Sequence, residues 1–361
     1  MNEQETISKL KKLGFDDWFA VHCAEMPAGA DSIARVSAVD RGAVLIHNGF
    51  AELPAELAGR FRFETASASD LPCVGDWACV QYHDGGTTAV IHGILPRRTF
   101  LRRKTAGRDV DLQMIAANID TAFIVQSCHF DFNLHRLDRY LVMVGDGGIE
   151  PVLVLTKTDL VTPEELEKTV AAIRQAGITA RILALSNATH AGMDAFRRFL
   201  VPGRTYCLIG SSGVGKTTLI NRLLGREAFA TRATSHTGEG THVTSRRQLI
   251  VIGEGALLVD TPGMRELGIL GAGAALDDSF GEIRGLSRSC RFADCRHAGE
   301  PGCAVRAAIE RGELPADRYE SYAKLKKEAE HHEMSFVEKR RKDKAFGKFI
   351  KTAKKEVKGR K

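Results

Sequence analysis

The sequence predicts a chain of three parts: a small antiparallel β-barrel, an α/β domain with a mostly parallel sheet, and a helical part organised by a metal ion. Three observations predict it. Short strand-like runs punctuated by Gly, Asp and Asn fill residues 31–95, apolar runs alternate with helical stretches from residue 112, and three cysteines and a histidine crowd into residues 290–303. These patterns are typical of a barrel, a doubly wound sheet and a structural metal site, respectively.

The bulk composition excludes several classes of protein. The 361 residues are enough for two or three domains with sizeable cores, and the 43% hydrophobic and 27% charged content is ordinary for a globular protein. No run of 18 apolar residues occurs, and the N-terminus lacks the apolar segment of a secretory signal. We therefore expect a cytoplasmic protein without membrane contact.

Positive charge is concentrated at the C-terminus. Residues 335–361 carry twelve Lys or Arg against three Asp or Glu, whereas the rest of the chain has 39 basic and 42 acidic residues. A second basic run, PRRTFLRRKTAGR, occupies residues 96–108. A single charge run is often only a solvated surface, but two on one chain favour a polyanionic partner such as nucleic acid.

The N-terminal half predicts a helical extension over 1–30, a barrel over 31–103 and a basic linker over 104–111. The extension contains an amphipathic helix within 3–20, and the whole basic run 96–108 reads as linker. An oligonucleotide-binding (OB) barrel is one fold that fits, although strand pattern alone does not select it. The expected strands are ARVSAVD, GAVLIHNG, GRFRFETA, GDWACVQY and TTAVIHGIL.

From residue 112 to 278, apolar strand-length runs alternate with helices. Strand-to-helix alternation predicts a parallel, doubly wound sheet. The clearest helix is 163–177, with Pro163 near its start and Gly177 closing it. The predicted strands are 121–126, 151–155, 181–185, 205–210 and 256–260.

A phosphate loop is predicted at residues 210–217, where GSSGVGKT matches the pattern G-x-x-x-x-G-K-[ST] between a strand and a helix. Its glycines let backbone N–H groups face phosphate oxygens at a helix N-terminus. Lys216 would reach the β- and γ-phosphates and the Thr217 hydroxyl would bind Mg²⁺. The nucleotide-binding residues expected here are Gly210, Ser211, Ser212, Gly213, Val214, Gly215, Lys216, Thr217 and Thr218.

A second phosphate-directed element is expected at residues 260–263, the sequence DTPG directly after the strand ALLVD. Alone, it is as readily an ordinary turn. Paired with the phosphate loop, Asp260 is predicted to hold Mg²⁺, usually through water, and the Gly263 N–H to lie near the γ-phosphate.

Guanine is the base that the strand ends predict. Thr156-Lys157-Thr158-Asp159 ends one strand and matches [NT]-K-x-D, and Ser186-Asn187-Ala188 ends another. The Asp159 carboxylate can accept both the ring N1–H and the exocyclic amine of guanine, which adenine cannot supply. Lys157 can lie across the base. In isolation TKTD reads as a surface loop, but two such elements together indicate a guanine pocket.

Both guanine elements precede the phosphate loop, whereas an ordinary GTPase has them after it. The chain thus resembles the bacterial circularly permuted GTPases of small ribosomal subunit maturation, the ribosome small subunit-dependent GTPase A family. The resemblance covers nearly the whole chain, including the AANID segment at 116–120. It implies a circularly permuted α/β P-loop GTPase domain, an OB-like barrel and a C-terminal zinc-binding helical domain. Two residues depart from the family pattern: Asn187 replaces an Ala and Ser211 replaces a Gln.

A zinc site is predicted at Cys290, Cys295, His297 and Cys303. Three thiolates and an imidazole fit a closed tetrahedral Zn²⁺ site without an open catalytic position. The surrounding sequence offers little apolar material, so a metal would supply the missing stabilisation. Unrelated surface thiols are the alternative, and the resemblance implies zinc at the same four positions. The zinc-binding domain is placed at 279–334, before the basic tail at 335–361.

Hydrolysis is expected to depend on a partner. Met264 follows DTPG, where Ras-like enzymes use a Gln to orient water. The segment 234–245 stands where a first switch would lie, with Thr244 as a candidate Mg²⁺ ligand. His242 occupies the family position implicated in activating water; its alternative is an ordinary loop histidine.

The function expected from the resemblance is subunit-stimulated GTP hydrolysis by a monomer bound to the small ribosomal subunit and its rRNA. The alternatives are a GTPase acting on another RNA or on the large subunit, a zinc-dependent RNA-binding protein whose nucleotide site is regulatory, and an ATP-specific P-loop enzyme. The last would leave Thr156–Asp159 without a role.

Overall fold

A computed structural model describes residues 3–40, 43–65, 67–104, 112–129, 131–227, 229, 247–253, 255–260 and 273–333. Its strands are β1 Ser32–Asp40, β2 Ala43–His47, β3 Glu52–Leu57, β4 Trp77–His83, β5 Thr88–Ile94, β6 Phe100–Lys104, β7 Leu112–Ala117, β8 Thr121–Ser127, β9 Glu150–Thr156, β10 Arg181–Ala184, β11 Thr205–Ile209, β12 Arg247–Ile252 and β13 Ala256–Asp260. Its α-helices are α1 Glu3–Lys12, α2 Asp17–His22, α3 Gly59–Glu64, α4 Leu134–Asp146, α5 Pro163–Gln175, α6 Met193–Phe199, α7 Lys216–Leu224, α8 Gly273–Ser279, α9 Gly281–Ser287, α10 Ala304–Glu310 and α11 Ala316–Glu333.

The predicted barrel is present and closed. Its strands follow the order β1-β2-β3-β5-β4, and β4 pairs back to β1. Alternate residues such as Val36, Ile46 and Ile91 are fully buried inside it, as expected for strands with one face turned inward. Closure leaves the barrel without free edges.

One predicted barrel strand, GRFRFETA, is wrong. Residues 59–64 of that run form helix α3, and the missing strand is β3, Glu52–Leu57. The alternation of Arg and Phe suggested a strand, but Phe61 packs against the barrel core while Phe63 is 91% exposed. Pro54 and two glutamates concealed β3 because they are rare in strands.

The α/β domain has a six-stranded sheet in the order β10-β9-β8-β11-β13-β12. All neighbours pair in parallel except β12, which is antiparallel to β13. Every residue of β8 is buried, as is typical of a strand covered on both faces. Helices α4 and α5 contribute to the core on one face, and α6 and α7 to the core on the other. The predicted doubly wound fold is confirmed.

Strand β12, which the sequence reading missed, joins the two sheets. It pairs with β13 on one side and with barrel strand β1 on the other, where Ala38 lies opposite Gln248 and Val39 opposite Arg247. The barrel and the α/β sheet are therefore hydrogen-bonded to each other through their backbones.

The basic run 96–108 is not a simple linker. Residues 100–104 form β6, which pairs with β7 as a hairpin. Two of its arginines bind the protein's own acids: Arg97 makes two 2.8 Å hydrogen bonds to buried Asp76, and Arg102 binds both oxygens of Asp146 on α4. Arg97 therefore pairs within the barrel and Arg102 pairs with the α/β domain, so both guanidinium groups are engaged by the protein's own carboxylates.

The N-terminal extension is anchored by a buried arginine. Arg35 in β1 is 1% exposed and donates to the carbonyls of Leu13, Gly75 and Asn118. Burial lowers the pKa of Arg35 to about 10, so it stays charged at neutral pH. The helix expected within 3–20 is divided into α1 and α2, and the carbonyl of Leu13, which lies between them, is one of the three groups that Arg35 binds.

The C-terminal helices have a core of their own. The ligand loop is polar, but flanking helices α8–α11 supply Phe280, Val305, Tyr322 and Leu325, which pack with Val142 of α4. Helix α8 also contributes, so the proposed boundary at 278/279 passes through it. Among the described residues, no helix is long and apolar enough to cross a membrane.

A buried ionic cluster joins these helices to α4. Arg318 of α11 is 5% exposed and binds Asp138 of α4, the carboxylate of Glu282 at 2.7 Å and the carbonyl of Ser279 at 2.6 Å. Its guanidinium also lies over the ring of Phe280, 4.0 Å from the centroid. A second pair, Arg139–Glu328, is bidentate at 2.7 Å.

Candidate nucleotide and metal sites

The phosphate-loop sequence lies between β11 and α7, at the carboxyl end of a buried parallel strand. Gly210 has φ +148°, and a Cβ there would lie 2.2 Å from the Val125 carbonyl oxygen, so only glycine fits. Gly213 and Gly215 also have positive φ. Helix α7 begins at Lys216, whose Nζ donates to the Gly210 carbonyl at 2.7 Å across the loop. The loop forms the backbone curve that can surround an anion at a helix N-terminus.

The remaining phosphate-side residues are partly described. Thr217 and Thr218 lie in the first turn of α7. Asp260 ends β13, which is hydrogen-bonded to β11, so its carboxylate reaches the same edge of the sheet. Burial raises the pKa of Asp260 to about 6, and nearby Lys216 opposes that rise. Such a carboxylate is costly to ionise without a cation, which suits a magnesium-directed role. Gly263, His242 and Thr244 lie outside the described residues.

The guanine elements follow β9 and β10, and β8 lies between these strands and β11, which leads into the phosphate loop. Lys157 has φ +59°, a left-handed conformation uncommon for a residue with a side chain, and turns the chain after β9. Asp159 follows in an exposed turn, and its Oδ1 accepts a 2.5 Å hydrogen bond from the buried Ser186 hydroxyl. That hydroxyl oxygen also accepts from the N–H groups of Ala188 and Thr189. One buried serine thus fixes the aspartate and the following loop.

Two side chains tie these loops to the phosphate loop. The Thr156 hydroxyl, fully buried, donates to the Val214 carbonyl at 2.6 Å. Asn187 Nδ2 donates to the next carbonyl, Gly215, at 3.1 Å. Thr156 and Asn187 therefore contact the phosphate loop although they lie 58 and 28 residues before their partners in the chain, and Ser186 joins Asp159 to the same group of loops.

Helix α4 makes a contact with the phosphate loop that the sequence did not predict. Arg136 of α4 donates to the Ser211 hydroxyl at 2.5 Å and to Asp131 at 2.8 Å. Ser211 also interacts with Tyr140, one turn further along α4. No sequence signal could identify this contact, because α4 lies 65 or more residues before the loop.

The four predicted metal ligands converge at one point. One ligand atom from each of Cys290, Cys295, His297 and Cys303 lies within 4.8 Å of all the others. His297 Nδ1 lies 3.6 Å from the Cys290 sulfur and 3.4 Å from the Cys303 sulfur. In tetrahedral zinc, with bonds of about 2.3 Å to sulfur and about 2.0 Å to nitrogen, a sulfur and a nitrogen are about 3.5 Å apart.

The electrostatics favour the ligand protonation states of His297 and Cys290, whereas burial raises the pKa of the Cys295 thiol to about 11. Burial lowers the pKa of His297, and the positive charge of Lys326 lowers it further, so the imidazole is neutral at pH 7. Burial opposes ionisation of Cys290, but hydrogen bonds from the N–H groups of Ala304 and Val305 leave its pKa below the ordinary value. Cys303 accepts from the Arg306 N–H at the start of α10. The donor set fits zinc.

Comparison with known proteins gives consistent results. A family model described as "RsgA GTPase" matches residues 94–270. A protein of Opitutus terrae named small ribosomal subunit biogenesis GTPase RsgA is 41% identical over 331 residues, covering 88% of this chain and 89% of its own. One of Lactiplantibacillus plantarum named small ribosomal subunit biogenesis GTPase RsgA 2 is 43% identical, covering 77% of each chain.

Two solved structures share the fold. YjeQ from Thermotoga maritima superposes with a TM-score of 0.60 at 24% identity, over 81% of this chain and 96% of its own. YloQ, described as a circularly permuted GTPase, superposes with a TM-score of 0.57 at 26% identity, over 84% of this chain and 96% of its own.

Proposed function

Because the chain belongs to the RsgA GTPase family and is a GTP hydrolase, we propose that it binds the small ribosomal subunit and hydrolyses GTP during late maturation of that subunit. The relatives named above carry small-subunit biogenesis in their names. The observation that carries the proposal is the convergence of the phosphate loop, Asp159 and Ser186 at one edge of the sheet. This arrangement supports guanine nucleotide as the ligand.

The nucleotide site holds GTP or GDP with Mg²⁺. Asp159 accepts hydrogen bonds from guanine N1–H and its amine, Lys157 lies against the base, and the backbone N–H of Asn187 faces the guanine oxygen. The residues of the phosphate loop hold the phosphates. Thr217 and Asp260 hold Mg²⁺, together with Thr244, while the Gly263 N–H faces the γ-phosphate.

Turnover is slow until the subunit is bound. Met264 has no group that can orient water, so His242 takes that role when the subunit aligns it. His242→Ala is expected to keep GTP affinity and to lose the stimulated part of hydrolysis. Unchanged stimulated hydrolysis in this variant would remove His242 from the mechanism.

One Zn²⁺ is held by the Cys290–Cys303 ligand set and fixes the loop that precedes α10. The zinc-binding domain, residues 279–334, contacts rRNA together with the basic tail 335–361. Charge supports the tail as the main phosphate contact, because the arginines at 97, 98 and 102 are engaged in ion pairs. Binding should therefore weaken steeply with salt. The protein acts as a cytoplasmic monomer.

Sedimentation with purified subunits tests the proposal. The full chain, loaded with a non-hydrolysable GTP analogue or with GDP, is centrifuged with small or large subunits. Co-sedimentation with small subunits in the analogue-bound state, weaker with GDP, is the expected result. Preferential binding to large subunits, or to neither, would contradict it. The same chain after removal of residues 335–361 measures the contribution of the tail.

A further inference from the structure

The side chain of Asn187 has one bonded end and one unbonded end at the nucleotide site. Its Nδ2 donates to the Gly215 carbonyl, while its Oδ1 is buried without a hydrogen-bond partner among the described residues. The assignment of nitrogen and oxygen is fixed by chemistry, since only the NH₂ group can face a carbonyl.

The Gly215 carbonyl, which Asn187 binds, lies where the phosphate loop becomes helix α7. Gly215 caps α7 and directly precedes Lys216, and its carbonyl also accepts the first helical hydrogen bond, from the Leu219 N–H. A Cβ on Gly215 would lie 2.8 Å from Asn187 Nδ2. The asparagine therefore lies in close contact with the backbone at the turn where the phosphate loop becomes a helix.

A second side chain binds the phosphate loop next to Asn187. Thr156 holds the carbonyl of Val214 and Asn187 holds that of Gly215, so consecutive carbonyls are bound from the ends of β9 and β10. The two loops are themselves joined through the bond from Ser186 to Asp159. These contacts form a closed ring through the base-reading loops and the phosphate loop.

We propose that Asn187 is a positioning residue that fixes the guanine-reading loops relative to the phosphate loop, and so determines how strongly the protein discriminates among purine bases. The proposal rests on the proposed guanine site. When the phosphates anchor a nucleotide at Gly215, the asparagine fixes the distance from there to Asp159. Without it, the Asp159 hydrogen bonds to the base form less completely, although the sheet is unchanged.

The test measures GDP and IDP affinity by displacement of a fluorescent nucleotide from the full chain. IDP lacks the exocyclic amine of guanine, which donates a hydrogen bond to Asp159 in GDP. The ratio of GDP affinity to IDP affinity therefore measures that hydrogen bond. Asn187→Ala is expected to weaken GDP binding about fivefold, the value of one hydrogen bond, and to lower the ratio at least about threefold. Asn187→Asp, which sets a carboxylate against the Gly215 carbonyl, is expected to lose at least about tenfold.

Two controls separate positioning from folding. Thr189→Ala changes an exposed residue of the same loop and should leave both affinities within about twofold of the wild type. The melting temperature of nucleotide-free Asn187→Ala should stay near the wild-type value, because the substitution also removes the unpartnered Oδ1. A lower melting temperature with an unchanged GDP-to-IDP ratio would show a merely structural role and overturn the proposal.

Asp159→Asn distinguishes failure of this inference from failure of the guanine site. Its amide matches xanthine, which has a carbonyl where guanine has the amine, so preference should move from GDP to XDP. If preference does not move, the guanine site itself is wrong. If it moves while Asn187→Ala binds GDP and IDP like the wild type, only the role of Asn187 is overturned.

Discussion

The nucleotide site and the metal cluster are both built from loops, but they are held in opposite ways. Each nucleotide loop directly follows a strand of one sheet, and side chains such as Thr156 and Asn187 bind the neighbouring loop. The metal ligands lie between α9 and α10, where the described chain has turns and bends without helix or strand. There the N–H groups of Arg296, Ala298 and Gly299 bind only the carboxylate of Glu300.

This difference indicates which of the two sites needs its ligand to keep its shape. The nucleotide loops have their shape from the sheet, so losing a phosphate contact should cost activity and not folding. The ligand loop has four donor atoms that point at one spot, so its shape should depend on the metal. The two parts of the chain meet at α4, which packs against α8 through Val142 and pairs with α11 through Asp138–Arg318 and Arg139–Glu328.

Loss of the lysine of the phosphate loop gives the largest expected effect. Lys216→Ala should reduce GTP hydrolysis by about 1000-fold or more, because the charge that meets the β- and γ-phosphates is removed. Zinc content and melting temperature should stay close to the wild type, since the loop is shaped by the sheet. Phosphate release and metal analysis measure the two results, and a Lys216→Ala chain that loses zinc would break the contrast between the sites.

Removal of Arg318 tests the joint between the two halves. Arg318→Met should destabilise the protein by about 3–5 kcal/mol, because Asp138 would remain as a buried, unpaired carboxylate. Urea unfolding followed by circular dichroism measures the loss. Adding Asp138→Leu should restore much of it, whereas a single variant as stable as the wild type would show that the cluster does not hold the halves together.

Loss of one metal ligand should act locally. Cys303→Ser is expected to weaken zinc affinity by about 100-fold or more and to raise hydrogen exchange in residues 304–333. GDP affinity should remain within about twofold of the wild type, because no described nucleotide residue contacts the ligand loop. Both tryptophans lie in the N-terminal part, so hydrogen exchange with mass spectrometry is the better readout than fluorescence. Equal losses of zinc and GDP binding would contradict two independent sites.

The smallest expected effect comes from the basic run. Arg102→Gln should lower stability by about 1–2 kcal/mol through loss of its bidentate contact with partly buried Asp146. It should leave unchanged the salt dependence of subunit binding, which is expected to follow the tail. Subunit affinity measured over a series of salt concentrations tests this prediction. If affinity fell less steeply with salt for Arg102→Gln than for the wild type, Arg102 would contact RNA.

Local patterns predicted the sheet well because buried parallel strands are continuous apolar runs. Runs such as 121–126 and 205–210 marked strand ends, and the strand ends located the nucleotide loops. Patterns failed where tertiary contacts decide: Phe61 and Phe63 alternate like a strand but belong to a helix. The carboxylate partners of Arg97 and Arg102 are distant in sequence, so no local pattern shows that these two arginines are engaged within the protein. β12 carried a readable apolar run, RQLIVI, whereas its pairing with β1 had no local signal.

GTP hydrolysis with and without purified subunits tests the central claim most directly. The account predicts slow hydrolysis by the protein alone, at least about tenfold stimulation by small subunits, and no comparable stimulation by large subunits. Equal stimulation by both subunits, or none by the small one, would contradict it.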